Sequence, residues 1–142
     1  MTTITLDGGP ELKAALLAAS QDMVEAAERA VTATGLELRG NVVKRIQRGP
    51  KTGRIYTRGS VTHKASRAGE APASDTGRLA GSVTFEQVGP ITVTVGSALA
   101  YAAYLEYGTR HIAPRPAWRP AVDDIEPKFR KRLEQALAVA VK

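Results

Sequence analysis

The stretch Val83 to Val95, "VTFEQVGPITVTV", decides the fold class. Val83 and Phe85 share one face of its first half, and Ile91, Val93 and Val95 share one face of its second. Gly89-Pro90 separates the halves. Period-two alternation on both sides of a turn predicts an antiparallel β-hairpin. A lone hairpin is marginal in water, so helices must cover its apolar face.

Those helices lie on either side in the sequence. Upstream, Leu12, Leu16, Ala19, Met23, Ala26, Ala30 and Ala33 recur at alternating steps of four and three, an apolar seam of period about 3.5. Leu38, Val42 and Ile46 continue it in a shifted register. The pattern predicts one long helix over about residues 10–47, with Gly35 as a place for a bend. The seam shrinks towards alanine, which permits close approach and buries little per residue. Leu12, Leu16, Ala19, Met23, Ala26 and Ala30 therefore read as an oligomer seam. Thr2 to Leu6 alternates as a short strand needing a partner.

Downstream, Ala98 to Tyr107 reads as a short helix stopped by Gly108 in a left-handed conformation. From Ala117 onward a second helix lines up Trp118, Ala121, Ile125, Phe129, Leu133, Leu137 and Ala140, and Pro127 is expected to kink or divide it. The reading is α+β: a long N-terminal helix and a kinked C-terminal helix on a small antiparallel sheet, as one domain over residues 1–142, with a protruding basic hairpin or loop.

Between the last two helices runs "YAAYLEYGTRHIAPRPAWRPA", Tyr101 to Ala121. Tyr101, Tyr104 and Tyr107 form a stripe whose rings are expected to pack on the hairpin with their hydroxyls wet. Pro114, Pro116 and Pro120 stiffen the segment after Gly108. The predicted elbow uses Tyr101, Tyr104, Glu106, Tyr107, Gly108, Pro116, Trp118 and Pro120 to fix an interhelical angle. Arg110, Arg115 and Arg119 are expected to be displayed from it.

Charge is segregated. Leu38 to Gly69 contains nine basic residues and no acidic one, so the net charge of +6 belongs to this window. Such segregation points to a polyanion or an acidic protein surface. Within it, residues 50–67 read as a basic arm. Arg54 to Thr57 and Val61 to Lys64 flank Arg58-Gly59-Ser60 as a hairpin or as a loop ordered by its partner. Arg45, Arg48, Lys51, Arg54, Tyr56, Arg58, His63, Lys64 and Arg67 are the candidate partner- or DNA-facing residues. Ala65 to Ser74 reads as a linker, and Asp75 or Thr76 as the cap of a short turn over Gly77 to Gly81.

Catalytic constellations do not emerge. The chain has no cysteine, which excludes disulfides and thiolate chemistry. His63 and His111 sit in basic loops, and no spacing brings metal ligands together. "GPKTG" lacks the spacing of a phosphate loop. Asp123, Asp124 and Glu126 are placed as charges near a helix start. No apolar run approaches the length of a membrane span, and no leader sequence is read at the start. No cofactor is expected.

Three motifs occur in order: "SDTGRL", "YAAYLEYGT" and "APRPAWRPAV". Together with the basic segment they resemble the HK97 gp10-like family of tailed-phage tail-completion, or head–tail joining, proteins, over about Gly49 to Val122. Trp118 stands where that pattern usually has phenylalanine. The resemblance implies a non-enzymatic structural protein of the virion neck and tail, assembled in host cytoplasm. It implies a homo-oligomeric ring of six copies beside the tail terminator, the head-closure protein and the tail tube, with contact to packaged DNA as a further possibility and no membrane. The alternative, read from charge alone, is sequence-independent nucleic-acid binding by residues 39–67.

Overall fold

The elements in chain order are β1 (Thr2–Asp7), α1 (Gly9–Leu17), α2 (Gln21–Arg48), β2 (Ile55–Arg58), β3 (Val61–Lys64), α3 (Arg78–Gly81), β4 (Val83–Gly89), β5 (Thr92–Ser97), α4 (Ala100–Tyr107) and α5 (Trp118–Val141). This computed structural model describes residues 2–7, 9–18, 21–73 and 76–141, with only the backbone for 15–17 and 141. The architecture is α+β, as the hairpin and its flanking helical patterns predict.

The hairpin forms as β4 and β5, and β1 completes an antiparallel sheet of order β1-β5-β4. Register explains its two faces. Ile4, Val95 and Phe85 stand in one row and Leu6 faces Val93, while Thr5, Thr94 and Glu86 form a row on the other side. Val83, Val93 and Val95 are fully buried, whereas Thr3 and Thr5 are exposed. A register shift between Gln87 and Gly89 leaves Val88 exposed at the end of β4.

The apolar face of the sheet packs on α2, and α2 packs in turn on α5. Leu38, Val42 and Ile46 of α2 join Trp118, Ala121 and Ile125 of α5 in the main core cluster. Burying each large aliphatic there contributes about 1.5–3 kcal/mol. A second cluster joins Ala27, Val31, Ile91 and Val93, and Phe85 packs against both.

Several expectations need correction. The predicted single N-terminal helix is two, because α1 ends at Leu17 and α2 begins at Gln21. Gly35 is no bend: α2 runs unbroken through it. Its role is close approach, since a Cβ there would lie 2.5 Å from Val93 Cγ2 and 2.8 Å from Phe85 Cε2. The oligomer seam is largely internal. Ala26 and Ala30 are buried within the chain, and Leu12 and Met23 pack partly buried against the second cluster. Small residues here let α2 meet its own neighbours. The Leu16 side chain and Ala19 lie outside the described residues, as does the candidate cap Asp75. Helix α5 continues as one element through Pro127, so no second helix starts there. The expected linker is packed: Ser66, Ala71 and Pro72 are buried.

Polar ties fasten α2 to α5. Arg132 donates to Thr34 Oγ1 at 2.8 Å and to Glu37 at 2.8 Å, and Lys128 reaches Glu37 at 3.1 Å. Those donors, Arg132 first, hold the Glu37 carboxyl below its ordinary range. Arg45 pairs with Asp124 one step further along.

Candidate functional site

The elbow is built around a buried carboxylate. At 100° per residue, Ala102 and Glu106 share the inward face of α4, while Tyr101, Tyr104 and Tyr107 share the opposite face. Ala102 is fully buried and small enough for α4 to sit close. The tyrosines therefore do not pack on the hairpin as expected. They are 37%, 56% and 68% exposed, and Ile112 is exposed beyond them.

Glu106 is 93% removed from solvent, at 7% exposure. Its Oε2 accepts the backbone N–H of Ala117 at 2.8 Å and of Trp118 at 3.1 Å. Its Oε1 accepts that of Arg119 at 2.8 Å. These are orphan donors at the start of α5, where a negative charge also complements the helix dipole. One helix thus caps another across the elbow. The sequence gives no local signal for it, because capping patterns lie within about three residues of a helix start and Glu106 lies eleven before Ala117.

The turn between is equally constrained. Gly108 has φ 74° and ψ 174°, a positive-φ conformation other than the expected left-handed helical one. A Cβ at Gly108 would lie 2.8 Å from Ile112 O and 2.9 Å from Pro114 Cδ. Arg115 N donates to Leu105 O at 2.6 Å, and Gly69 N donates to Pro114 O at 2.8 Å. Pro116 and Pro120 are half-buried, and Pro120 O accepts from Arg45. Trp118 is fully buried, and its Nε1 has no acceptor among the described residues. Arg110 and Arg119 are exposed, but Arg115 is half-buried rather than displayed. Tyr107, Trp118, Arg119 and Val122 line a cleft of about 540 Å³ beside Thr2 and Ile4 of the edge strand β1.

The basic arm is a hairpin. Strands β2 and β3 pair antiparallel, with Tyr56 opposite His63 and Arg58 opposite Val61. The Tyr56 and His63 rings stack at 5.5 Å, a cross-strand contact that supports a ribbon too short to persist alone. Every residue of the two strands is exposed except His63, which is intermediate.

The root of the arm is held by Glu70, which sequence reading missed. Its carboxylate accepts Thr52 N at 2.9 Å and Arg67 N at 2.8 Å, with a further short bond from the Thr52 hydroxyl. These donors, the Thr52 hydroxyl first, lower its pKa to about 2. The available signal was position: Glu70 is the first acid after the acid-free window. Lys51 lies at the same root and donates to Ala71 O at 2.8 Å and Arg45 O at 3.2 Å. Burial pushes its ammonium pKa down. Lys51 and Arg45 are therefore structural rather than partner-facing, because both heads are turned to the chain's own acceptors. Arg39 likewise donates to Val83 O at 3.0 Å. Lys44, Arg48, Arg54, Arg58, Lys64 and Arg67 remain exposed.

Among the described residues no group of His, Cys, Asp and Glu is placed to hold a metal ion, and no helix is long and apolar enough to cross a membrane.

A family model described as "Bacteriophage HK97-gp10, putative tail-component" matches residues 11–108. The chain belongs to the HK97-gp10-like family. The match runs from α1 through the basic arm and the sheet to Gly108, where the elbow turns. It stops short of the proline-rich stretch and α5, so the third motif lies outside it. No curated protein and no solved structure matches the chain. Membership of the HK97-gp10-like family makes this a bacteriophage tail component, a structural part of the virion that meets other tail and head proteins.

Proposed function

We propose that the chain is a non-enzymatic subunit of the phage neck that completes the tail and joins it to the head as a ring of six copies. The observation that carries this reading is the outward tyrosine stripe. Tyr101, Tyr104 and Tyr107 are exposed on a helix whose opposite face is locked by Glu106. Tyrosine presents large contact area at little entropic cost, and interfaces are enriched in it. A rigid corner that displays aromatics is suited to meet a neighbouring subunit, and the cleft beside Tyr107 extends that surface. The neighbours in this reading are further copies of the chain, the tail terminator, the head-closure protein and the tail tube.

Native mass spectrometry and electron microscopy of the purified protein, alone and with its neck partners, test the reading. Rings alone or on partner addition are expected. A monomer indifferent to every neck component, with particles maturing normally in its absence, would end it.

A second reading is sequence-independent nucleic-acid binding by residues 39–67, favoured by the seven exposed cations of that acid-free segment, Arg39 among them. Neutralising about six phosphates gives a log–log salt slope near −5. A flat salt response would eliminate this reading.

A further inference from the structure

We propose that the arm of one copy docks on the β1 edge of the next, adding its β2 strand to that sheet. The inference rests on the ring reading above and names the contact that closes the ring. The sheet β1-β5-β4 has two edges. At β4 the edge is blunted: a register shift interrupts it between Gln87 and Gly89, Glu86 is exposed on it, and Arg39 donates to Val83 O. Such devices discourage strand addition. From Thr2 to Leu6, β1 has no charge, no proline and no bulge. Roughly half of its backbone donors and acceptors face outward, with no strand beside them among the described residues.

The cleft of about 540 Å³ lies along this bare edge. Ile4, Tyr107, Trp118, Arg119, Val122 and Asp123 line it, and no described residue of β4, β5 or α2 does. It therefore opens beside β1 rather than beneath the middle of the sheet. A strand added about 4.8 Å from β1 would lay its inward side chains over this cleft. Thr2, at the same edge, buries a hydroxyl that has no partner among the described residues.

The arm has the complementary deficit. A two-stranded ribbon is marginal alone, and a third strand steadies it. Opposed residues share a face, so Ile55, Lys64, Thr57 and Thr62 form one side of the arm. Ile55 and Val61 are each more than half exposed. A phosphate backbone offers an isoleucine nothing to bury against, whereas Ile4, Tyr107 and Val122 do. With Ile55 over the cleft, Lys64 on the same side would approach Asp123. Charge favours a second copy as the occupant: residues 38–69 hold nine basic residues and no acid, and the rest of the chain is net negative. The contact joins two different patches of one chain, so it is heterologous and suits a closed ring. Glu70 and Lys51 fix the root, so the arm docks without first being ordered.

The test uses the full chain, which has no cysteine of its own, alone and with its neck partners. Native mass spectrometry reads assembly. Ile55→Ser is expected to weaken it about tenfold and to leave the thermal transition of the single chain in place, because Ile55 is exposed there. In a mixture of Thr57→Cys and Asp123→Cys copies, a short bismaleimide should link one variant to the other, and neither should link to itself. Linkage of Thr57→Cys to itself would place arm against arm and overturn the contact. Rings that form equally well with Ile55→Ser, or that give no mixed link, leave the ring reading standing and overturn this inference. A wild type that stays monomeric with every neck component removes both. Assembly untouched by Ile55→Ser, with duplex DNA binding lost on Arg54→Ala, would assign the arm to nucleic acid instead.

Discussion

Glu106 and Trp118 are joined by a 3.1 Å bond from the Trp118 backbone N–H to the Glu106 carboxylate, which ties the end of α4 to the start of α5. Two further N–H groups share that carboxylate. Replacing it with a methyl group leaves three helix-start donors without an acceptor, two of them in buried residues. Glu106→Ala is predicted to cost about 2–4 kcal/mol of unfolding free energy. Glu106→Gln, which keeps one oxygen, should cost less. Urea denaturation measures both, and an unaffected Glu106→Ala protein would refute the cap.

The indole N–H of Trp118 supplies a second prediction. It is buried without an acceptor among the described residues. Burying an unpaired donor costs about 1–3 kcal/mol, which offsets much of what the larger ring gains over a phenyl group. Trp118→Phe should therefore stay within about 1 kcal/mol of the wild type, while Trp118→Ala should lose about 3–5 kcal/mol. A phenylalanine variant as damaged as the alanine one would mean that the indole N–H has a partner.

Two glycines of α2 make opposite predictions from one helix. Gly35 sits beneath the sheet, where a Cβ would strike Val93 and Phe85 side chains. Gly40 has nothing within 4 Å of the same added atom. Gly35→Ala should destabilise by about 1–3 kcal/mol through overpacking. Gly40→Ala should stabilise by about 0.5–1 kcal/mol through helix propensity. Thermal unfolding of the pair decides this, and equal shifts would contradict the close approach at Gly35.

These residues also show what the sequence could carry. The hairpin was legible because Val83, Phe85, Ile91, Val93 and Val95 alternate within a few residues of one another. The helices were legible because their apolar spacing is local. What such patterns cannot reveal is the destination of a face. Ala26 and Ala30 of α2 read as a seam for another subunit, yet they are buried within their own chain, while Ala33 of the same seam stays exposed. The tyrosines of α4 read as rings packed on the hairpin with wet hydroxyls, yet the buried side belongs to Ala102 and Glu106. Both outcomes depend on contacts across long stretches of chain. The same holds for Glu106 and Glu70, whose donors lie thirteen and eighteen residues away in their longest bonds.

The Glu70 clasp gives a pH dependence of definite sign. Its folded pKa of about 2 lies below the ordinary 4.5, because Thr52 and Arg67 donate to the charged form. A lowered carboxyl contributes its stabilisation fully above about pH 4.5, and loses it as pH falls through about 2. Order at the root of the arm should therefore persist at pH 4 and fade towards pH 2. The shifts of Asp7 and Glu37 are also downward, so acid unfolding of the whole chain would mask the effect. The comparison that isolates it is Glu70→Gln, read by amide hydrogen exchange at Thr52 and Arg67. The variant should exchange faster than the wild type at pH 5, and the gap should close as pH approaches 2. Equal exchange in both proteins at pH 5 would show that Glu70 does not hold the arm.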